Sequence, residues 1–444
     1  MTVSVPTENA NGFAGRISQL RRKKFARQSA IVIAGTGLSQ LLPILCAPIL
    51  SRLYSPADFG LYGIITSIAT IIAAIAPWGF DRAIAISLSP KTAANLLTLS
   101  LSLAILTTAL VGILGYAICL AWGTPALTPE ITRHFWLIPA IGLAIAITRA
   151  MVFWHTRTEN HKTISFARVL QSCMQVSTQI ATGLAFKLNA GLLYGYLAGQ
   201  LAFFACLAGS ITSSKWKSVA ARVSFANVRA ATLGHLEFPR YRAPQQLIVA
   251  LGKSGYLLAF ATAFSPIHAG LFTLAQRVLY LPIFMIAQSI QQVFIPKAMR
   301  SHATTPEKLE QQVIHLTIAV AITCIACILP VLAAGPRLFA VVFGETWVEA
   351  GNYARLLAIA VFFQATAHPA EALTPLLGIQ RLHLYNQMAL VVAMGLSIAI
   401  GYALNSPLLA VVVYAFTIAC SKSMLFVQII LAVRNHASLL KTQK

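Results

Sequence analysis

Residues 382–421 read LHLYNQMALVVAMGLSIAIGYALNSPLLAVVVYAFTIACS, a stretch without a single formal charge. A helix crosses a bilayer in about 20 predominantly apolar residues. The stretch is too long for one crossing, and Asn405-Ser406-Pro407 supplies the turn between two, at 384–404 and 407–433. Working back toward the N-terminus, the same test places spans at about 27–51, 59–80, 95–122, 134–155, 165–186, 190–212, 243–264, 269–295, 313–335 and 351–377. The expected fold class is an all-α integral membrane protein of about twelve transmembrane helices.

Of 444 residues, 57% are hydrophobic and only 10% charged, too few charges to coat a soluble domain of this size. The net charge of +22 raises nucleic acid as a partner. The basic residues gather into no domain, however, and sit in the gaps between apolar runs, so no nucleic-acid partner is expected. Counted in alternate gaps, 25 of the 33 Lys and Arg residues fall on one side, against four on the other (Arg52, Arg133, Lys187, Arg337) and four inside spans. That asymmetry places both termini in the cytoplasm of a multi-pass membrane protein. The basic cluster Arg21, Arg22, Lys23, Lys24 and Arg27 reads as the flank of an uncleaved first helix, not a signal peptide. All seven cysteines lie in apolar runs, so disulfides are not expected. Cys324-x-x-Cys327 reads as helix packing, because hydrocarbon disfavours the thiolate that redox chemistry needs.

The largest basic gap, 213–242, follows the sixth span and divides the chain in two. Ser55-Pro56-Ala57-Asp58-Phe59-Gly60-Leu61-Tyr62 turns between spans one and two, and Ser265-Pro266-Ile267-His268-Ala269-Gly270-Leu271-Phe272 between spans seven and eight. The two segments are 210 residues apart and identical at four of eight positions. The organisation expected is a cytoplasmic tail (1–26), a six-helix lobe (27–212), a linker (213–242), a second six-helix lobe (243–433) and a tail (434–444). An even number of helices per lobe gives both the same orientation, so a pseudo-twofold axis runs along the membrane normal. Two such lobes facing a central cavity are a transporter architecture.

Leu45–Gly63 (LCAPILSRLYSPADFGLYG), Gly79-Phe80-Asp81-Arg82-Ala83, Ala269–Ala298 (AGLFTLAQRVLYLPIFMIAQSIQQVFIPKA) and Phe339–Leu357 (FAVVFGETWVEAGNYARLL) carry a resemblance to a known family. In their order and spacing they resemble Wzx-type oligosaccharide flippases of the multidrug/oligosaccharidyl-lipid/polysaccharide exporter superfamily. The resemblance implies a substrate, a polyprenyl-diphosphate-linked oligosaccharide, moved across the bacterial inner membrane by alternating access. It also implies a destination in surface polysaccharide: O-antigen of lipopolysaccharide, capsule or exopolysaccharide. Membrane lipids and a polysaccharide polymerase or other assembly proteins are the partners it implies, and a monomer is the default for a two-lobed transporter.

Charges inside the spans are the candidate site. A charged side chain at mid-bilayer costs at least about 2.5–3.5 kcal/mol on insertion scales, so it normally faces a cavity or a partner. Lys253, Lys422, Arg277 and Arg355 lie within spans, and Arg149, counted with its basic gap, in the inner half of the fourth; Glu371 is the clear intramembrane acid and Asp81 sits at a helix end. The surplus of cations is read as a basic cavity for an anionic head group, with Arg gripping phosphate bidentately and Lys acting as a point charge. Against it, Arg149 and Arg355 have the alternative of snorkelling to an interface, and Arg277 that of a packing ion pair. Glu371 follows His368 by three residues on one helix face. Carboxylates in hydrocarbon exchange protons near neutral pH, which makes this pair the candidate for cation coupling; neutralising a cation is Glu371's other reading.

Asp81-Arg82 reads as an adjacent pair capping its helix. Trp78, Trp154, Tyr256 and Tyr280 are candidates to line a sugar path; Trp122, Trp136 and Trp347 read as interface anchors, and His134, His155 and His161 as interfacial. The sequence holds no phosphate loop, metal cluster or nucleophile motif, so neither cofactor, metal nor catalytic residue is expected. A polymerase or ligase on the same lipid-linked sugars would carry a large outer loop, and the chain has none. The alternative function is a drug or metabolite/cation antiporter of the same superfamily, which calls for more acidic residues in its cavity.

Overall fold

The computed structural model of the chain describes residue 35 and residues 37–122, 129–186, 188–212, 221–304, 306–374 and 376–442. The N-terminal tail with its basic cluster, the start of the first expected span, Lys187, the side chain of Trp122 and part of the 213–242 linker lie outside them.

Each expected span is a helix: α1 (Gly37–Leu53), α2 (Pro56–Ile75), α3 (Pro90–Trp122), α4 (Leu137–Arg157), α5 (His161–Ala185) and α6 (Gly191–Gly209). The second set is α7 (Phe238–Ala263), α8 (Pro266–Thr304), α9 (Pro306–Phe343), α10 (Val348–Glu371), α11 (Gln380–Ala403) and α12 (Pro407–Thr442). Among the described residues, nine helices are long and apolar enough to cross a membrane. α5 is long enough but more polar, for a reason visible in its packing. Its Gln175 and Gln179 are buried against α6, where Gly191, Gly195 and Gly199 recur every fourth residue. A Cβ on Gly195 would strike the Gln175 carbonyl, so only glycine lets these backbones approach. The Gln179 side chain donates to the Leu192 carbonyl at 2.9 Å, and the Tyr54 hydroxyl donates to the Gln179 carbonyl at 2.6 Å.

Four helices, α2, α3, α8 and α12, begin with serine at the cap and proline just inside, and Ser89 accepts from the Thr92 amide at the start of α3 at 3.4 Å. The Ser55 hydroxyl accepts from the Asp58 amide at 3.3 Å while Asp58 accepts from the Ser55 amide at 2.8 Å, a complete capping box. Ser265 and Ser406 accept from His268 and Leu409 amides, each at 3.3 Å. Chain alternation puts the starts of α2, α8 and α12 at one end of the bundle, the Ser-Pro end; the start of α3 and the Lys- and Arg-rich gaps lie at the other, the basic end.

At the Ser-Pro end the repeated segments pack on each other reciprocally. A Cβ on Gly60 would collide with the Pro266 carbonyl, and one on Gly270 with the Pro56 carbonyl. One turn further, Gly63 lies against Thr273, again 210 residues apart. Residue i touches j and j's counterpart touches i's, which is the signature of a twofold relation.

The same end is clasped by Trp347. It was expected at the interface; instead its exposure is 0%. Its indole N–H donates to the Ser51 carbonyl at 3.0 Å, the Ser51 hydroxyl donates to the Phe343 carbonyl at 3.1 Å, and Phe59 meets the indole edge-on at 5.0 Å. Trp347 is buried because the expected outer gap after span nine is mostly helical. α9 kinks at Ala334 (φ −134°) between Pro330 and Pro336 and runs on to Phe343. Only Gly344 (φ 108°) and a 3₁₀ turn, Glu345–Trp347, separate it from α10. His155 also departs from expectation: it is buried, with Nε2 3.0 Å from the Leu207 carbonyl.

Candidate functional site

A cavity of about 390 Å³ lies within the second set of helices, and helical spacing builds its walls. On α8, Gln276, Tyr280, Phe284 and Gln288 recur every fourth residue. On α10, Gln364, His368 and Glu371 follow the same stripe, as do Tyr414, Ile418 and Lys422 on α12. Gln387 comes from α11 and Lys253 from α7. Tyr280 and Phe284 stack with centroids 5.4 Å apart and planes 5° from parallel, and the Tyr280 hydroxyl donates to Gln364 Oε1 at 2.9 Å.

Lys253 sits in a π-helical turn, Leu251–Gly255, inside α7. A π turn places one more residue in the turn than an α-helix does and re-aims the side chains around it. A second chamber of about 220 Å³ adjoins α2 and α6, with Tyr62, Thr66, Thr70 and Tyr196 in its walls. Lys253 and Gln276 line both spaces. Among the described residues no carboxylate lies within 4 Å of Lys253.

The structure sorts the other singled-out charges. Lys422 Nζ meets Glu371 Oε1 at 2.5 Å, with side-chain exposures of 6% and 18%. Glu371 is the last residue of α10, and His368 lies one turn before it in the same wall. Arg149 is on the far side of the molecule's chemistry: its Nε donates to fully buried Asp81 at 2.6 Å and its Nη2 to the Ala73 carbonyl at 2.8 Å. Asp81 is thus partnered across to α4, not by adjacent Arg82. Arg277 follows Thr273 by one turn on α8, and its Nη1 is buried without a hydrogen-bond partner. Arg355 is exposed, its stem lying over Gly335 beside the α9 kink. The five cations therefore do not share one lumen: Lys253 and Lys422 line the cavity together, and Arg149, Arg277 and Arg355 stand elsewhere.

Of the aromatics, Tyr280 lines the cavity. Tyr256 is buried, 4.0 Å centroid to centroid from Tyr414, and Trp78 is half-exposed in a turn where its indole donates to Thr107 at 3.2 Å. The four glutamines are not singled out by the sequence; Gln276 and Gln288 carry a signal, their four-residue spacing through two aromatics, whereas Gln364 and Gln387 stand on other helices. Among the described residues no three His, Cys, Asp or Glu side chains are placed to hold a metal ion. What the walls offer is one unpaired ammonium, one ion pair, amide groups that both donate and accept, and a flat aromatic face.

A family model described as polysaccharide biosynthesis protein matches residues 49–352. No curated protein matches the sequence significantly. Among solved structures, the lipid II flippase MurJ in an inward closed conformation superposes with a TM-score of 0.69 at 10% identity, over 93% of this chain and 90% of that one. An outward-facing multidrug resistance MATE transporter of the MOP superfamily gives 0.63 at 15% identity, over 94% and 96%. A MOP superfamily transporter from Pyrococcus furiosus, described as having a binding pocket of reversed polarity, gives 0.59 at 14%, over 94% and 96%. The shared property is the fold, an all-helical membrane-spanning bundle.

Proposed function

This chain belongs to the polysaccharide biosynthesis protein family, and we propose that within it the protein is a flippase. It carries a polyprenyl-diphosphate-linked oligosaccharide from the cytoplasmic to the outer leaflet of the bacterial inner membrane, for assembly into O-antigen, capsule or exopolysaccharide. The observation that carries the proposal is Lys253: a cation in a water-accessible cavity, without a carboxylate partner among the described residues, beside amides and a stacked aromatic pair. The ammonium attracts the diphosphate, the glutamines satisfy sugar hydroxyls, and Tyr280 with Phe284 offers a surface to sugar C–H groups. The polar head stays in the cavity while the lipid tail remains in the bilayer.

With the basic end in the cytoplasm, the clasp at Trp347 closes the outer side, and the cavity serves the inner leaflet. Rocking of the two lobes about the Gly60–Gly270 crossing would break that clasp and present the head outside. Cation coupling falls to Glu371 beside His368. A phosphate that takes Lys422 frees the Glu371 carboxylate to bind a cation. Polymerase and other assembly proteins are the partners this function calls for, and a monomer suffices for it. The antiporter reading is favoured by one feature, the carboxylate of Glu371 in the cavity, but Lys422 holds that charge.

The test is flipping of a labelled polyprenyl-diphosphate oligosaccharide by purified protein in proteoliposomes. Wild type should flip it, and Lys253→Ala should lose at least tenfold in rate with its thermal stability unchanged. Export of organic cations against a proton gradient, with no movement of lipid-linked sugar, would establish the antiporter instead.

A further inference from the structure

We propose that a groove on the lipid-facing side of α9, α10 and α12 holds the isoprenoid tail of an anionic lipid, with Lys422 standing where the groove meets the cavity. The inference rests on the flippase proposal and adds to it a binding site for the part of the substrate that never enters the cavity.

Two apolar clefts, of about 280 and 250 Å³, share Phe362 and Phe363 on α10. The first is walled by Ile325, Leu329 and Leu332 of α9; the second continues between α9 and α12 past Thr317, Ala367 and Phe426. Joined, they follow α9 from Thr317 to Leu332, about 22 Å at 1.5 Å per residue. Ile325, Leu329 and Ile359 are exposed along this path, where lipid would lie.

The polar groups of the groove gather at one end. Lys422 is there, and among the described residues it is the one side chain that lines both the groove and the polar cavity. Its stem closes the wall between them, and its ammonium reaches Glu371 on the cavity side. Thr317 Oγ1, in the same cleft, is buried with no hydrogen-bond partner. A buried hydroxyl without a partner is uncommon and marks a place for an acceptor.

These features select the occupant. A long apolar groove ending at an ammonium complements a lipid with one chain and an anionic head. A two-chain phospholipid would leave one chain outside a single groove. A tail in the leaflet at the basic end points toward the bilayer centre, so a head lifted to Lys422 carries its tail toward the Ser-Pro end, the direction in which the groove runs.

A sugar-free, diazirine-tagged polyprenyl diphosphate in nanodiscs tests this, with crosslinks mapped by mass spectrometry. Crosslinks are expected at Leu329, Phe362 and Phe363. Leu329→Trp should cut their yield at least fivefold, whereas Val341→Trp, exposed on the same helix outside the groove, should not. Crosslinks confined to other helices would overturn the proposal. So would a tagged phosphatidylglycerol that labels the groove equally well under excess polyprenyl diphosphate. If Leu329→Trp does not fold, the wild-type crosslink map decides alone. Flipping of the lipid-linked sugar without groove crosslinks sinks the groove only; groove crosslinks without any flipping sink the flippase.

Discussion

Replacing Trp347 by phenylalanine isolates one interaction between the two halves of the molecule. The ring volume and the edge contact with Phe59 are largely kept; the indole N–H that donates to Ser51 at 3.0 Å is lost. The Ser51 carbonyl is buried at that point, and a buried acceptor left without its donor costs about 1–3 kcal/mol. If the halves separate at the Ser-Pro end during transport, water replaces the donor in the open state, and the cost falls on the closed state alone. The open-to-closed ratio should then rise about 5- to 150-fold. Spin labels at Arg52→Cys and Glu345→Cys, both exposed at this end, would read the ratio by double electron–electron resonance in a cysteine-free background. Wild type should give one dominant short distance, and Trp347→Phe a second, longer population. A lowered melting temperature with an unchanged distance distribution would refute the reasoning, because the hydrogen bond would then persist in both states.

Lys422→Met should destabilise the protein by about 3–5 kcal/mol by stranding Glu371, and the double change with Glu371→Met should recover most of it, as read by thermal unfolding in detergent. Arg149→Lys should also destabilise despite keeping the charge, since a lysine cannot reach both Asp81 and the Ala73 carbonyl in forked geometry; equal melting temperatures would contradict that. Gly60→Ala and Gly270→Ala should each lower the melting temperature to a similar degree in thermal unfolding, because each Cβ meets a backbone carbonyl at the pivot that cannot swing aside.

Much of the fold is legible in hydropathy, because a bilayer admits only long apolar helices; where the residues are described each expected span is a helix, and nine are long and apolar enough to cross. Serine-proline pairs mark four helix starts through a local cap that needs no tertiary context. Long-range partnerships are another matter. Lys422 and Glu371 are 51 residues apart, and no local rule links them; the same holds for Arg149 and Asp81, and it is pairing that removes Arg149 from the list of free cations. Trp347 and His155 were misjudged because interface preference is a statistical tendency of residue type, whereas their burial follows from how far α9 continues and where α6 lies. The glutamine stripe on α8 is legible too, since Gln276 and Gln288 share one helix face with Tyr280 and Phe284 between them at four-residue steps.

The reciprocal contact of Gly60 with Pro266 and of Gly270 with Pro56 is the interface a homodimer of six-helix chains would make, kept inside one polypeptide. A true homodimer must place the same residue on both sides of its axis, so any charge it gains appears twice. Fusion lifts that restriction. At the 210-residue offset, Arg277 answers to Ser67, and the cavity with Lys253 and Lys422 belongs to one half only. The paired frame gives the proposed rocking a pivot whose two sides match, and the freedom to diverge lets the proposed binding site be built in one half only.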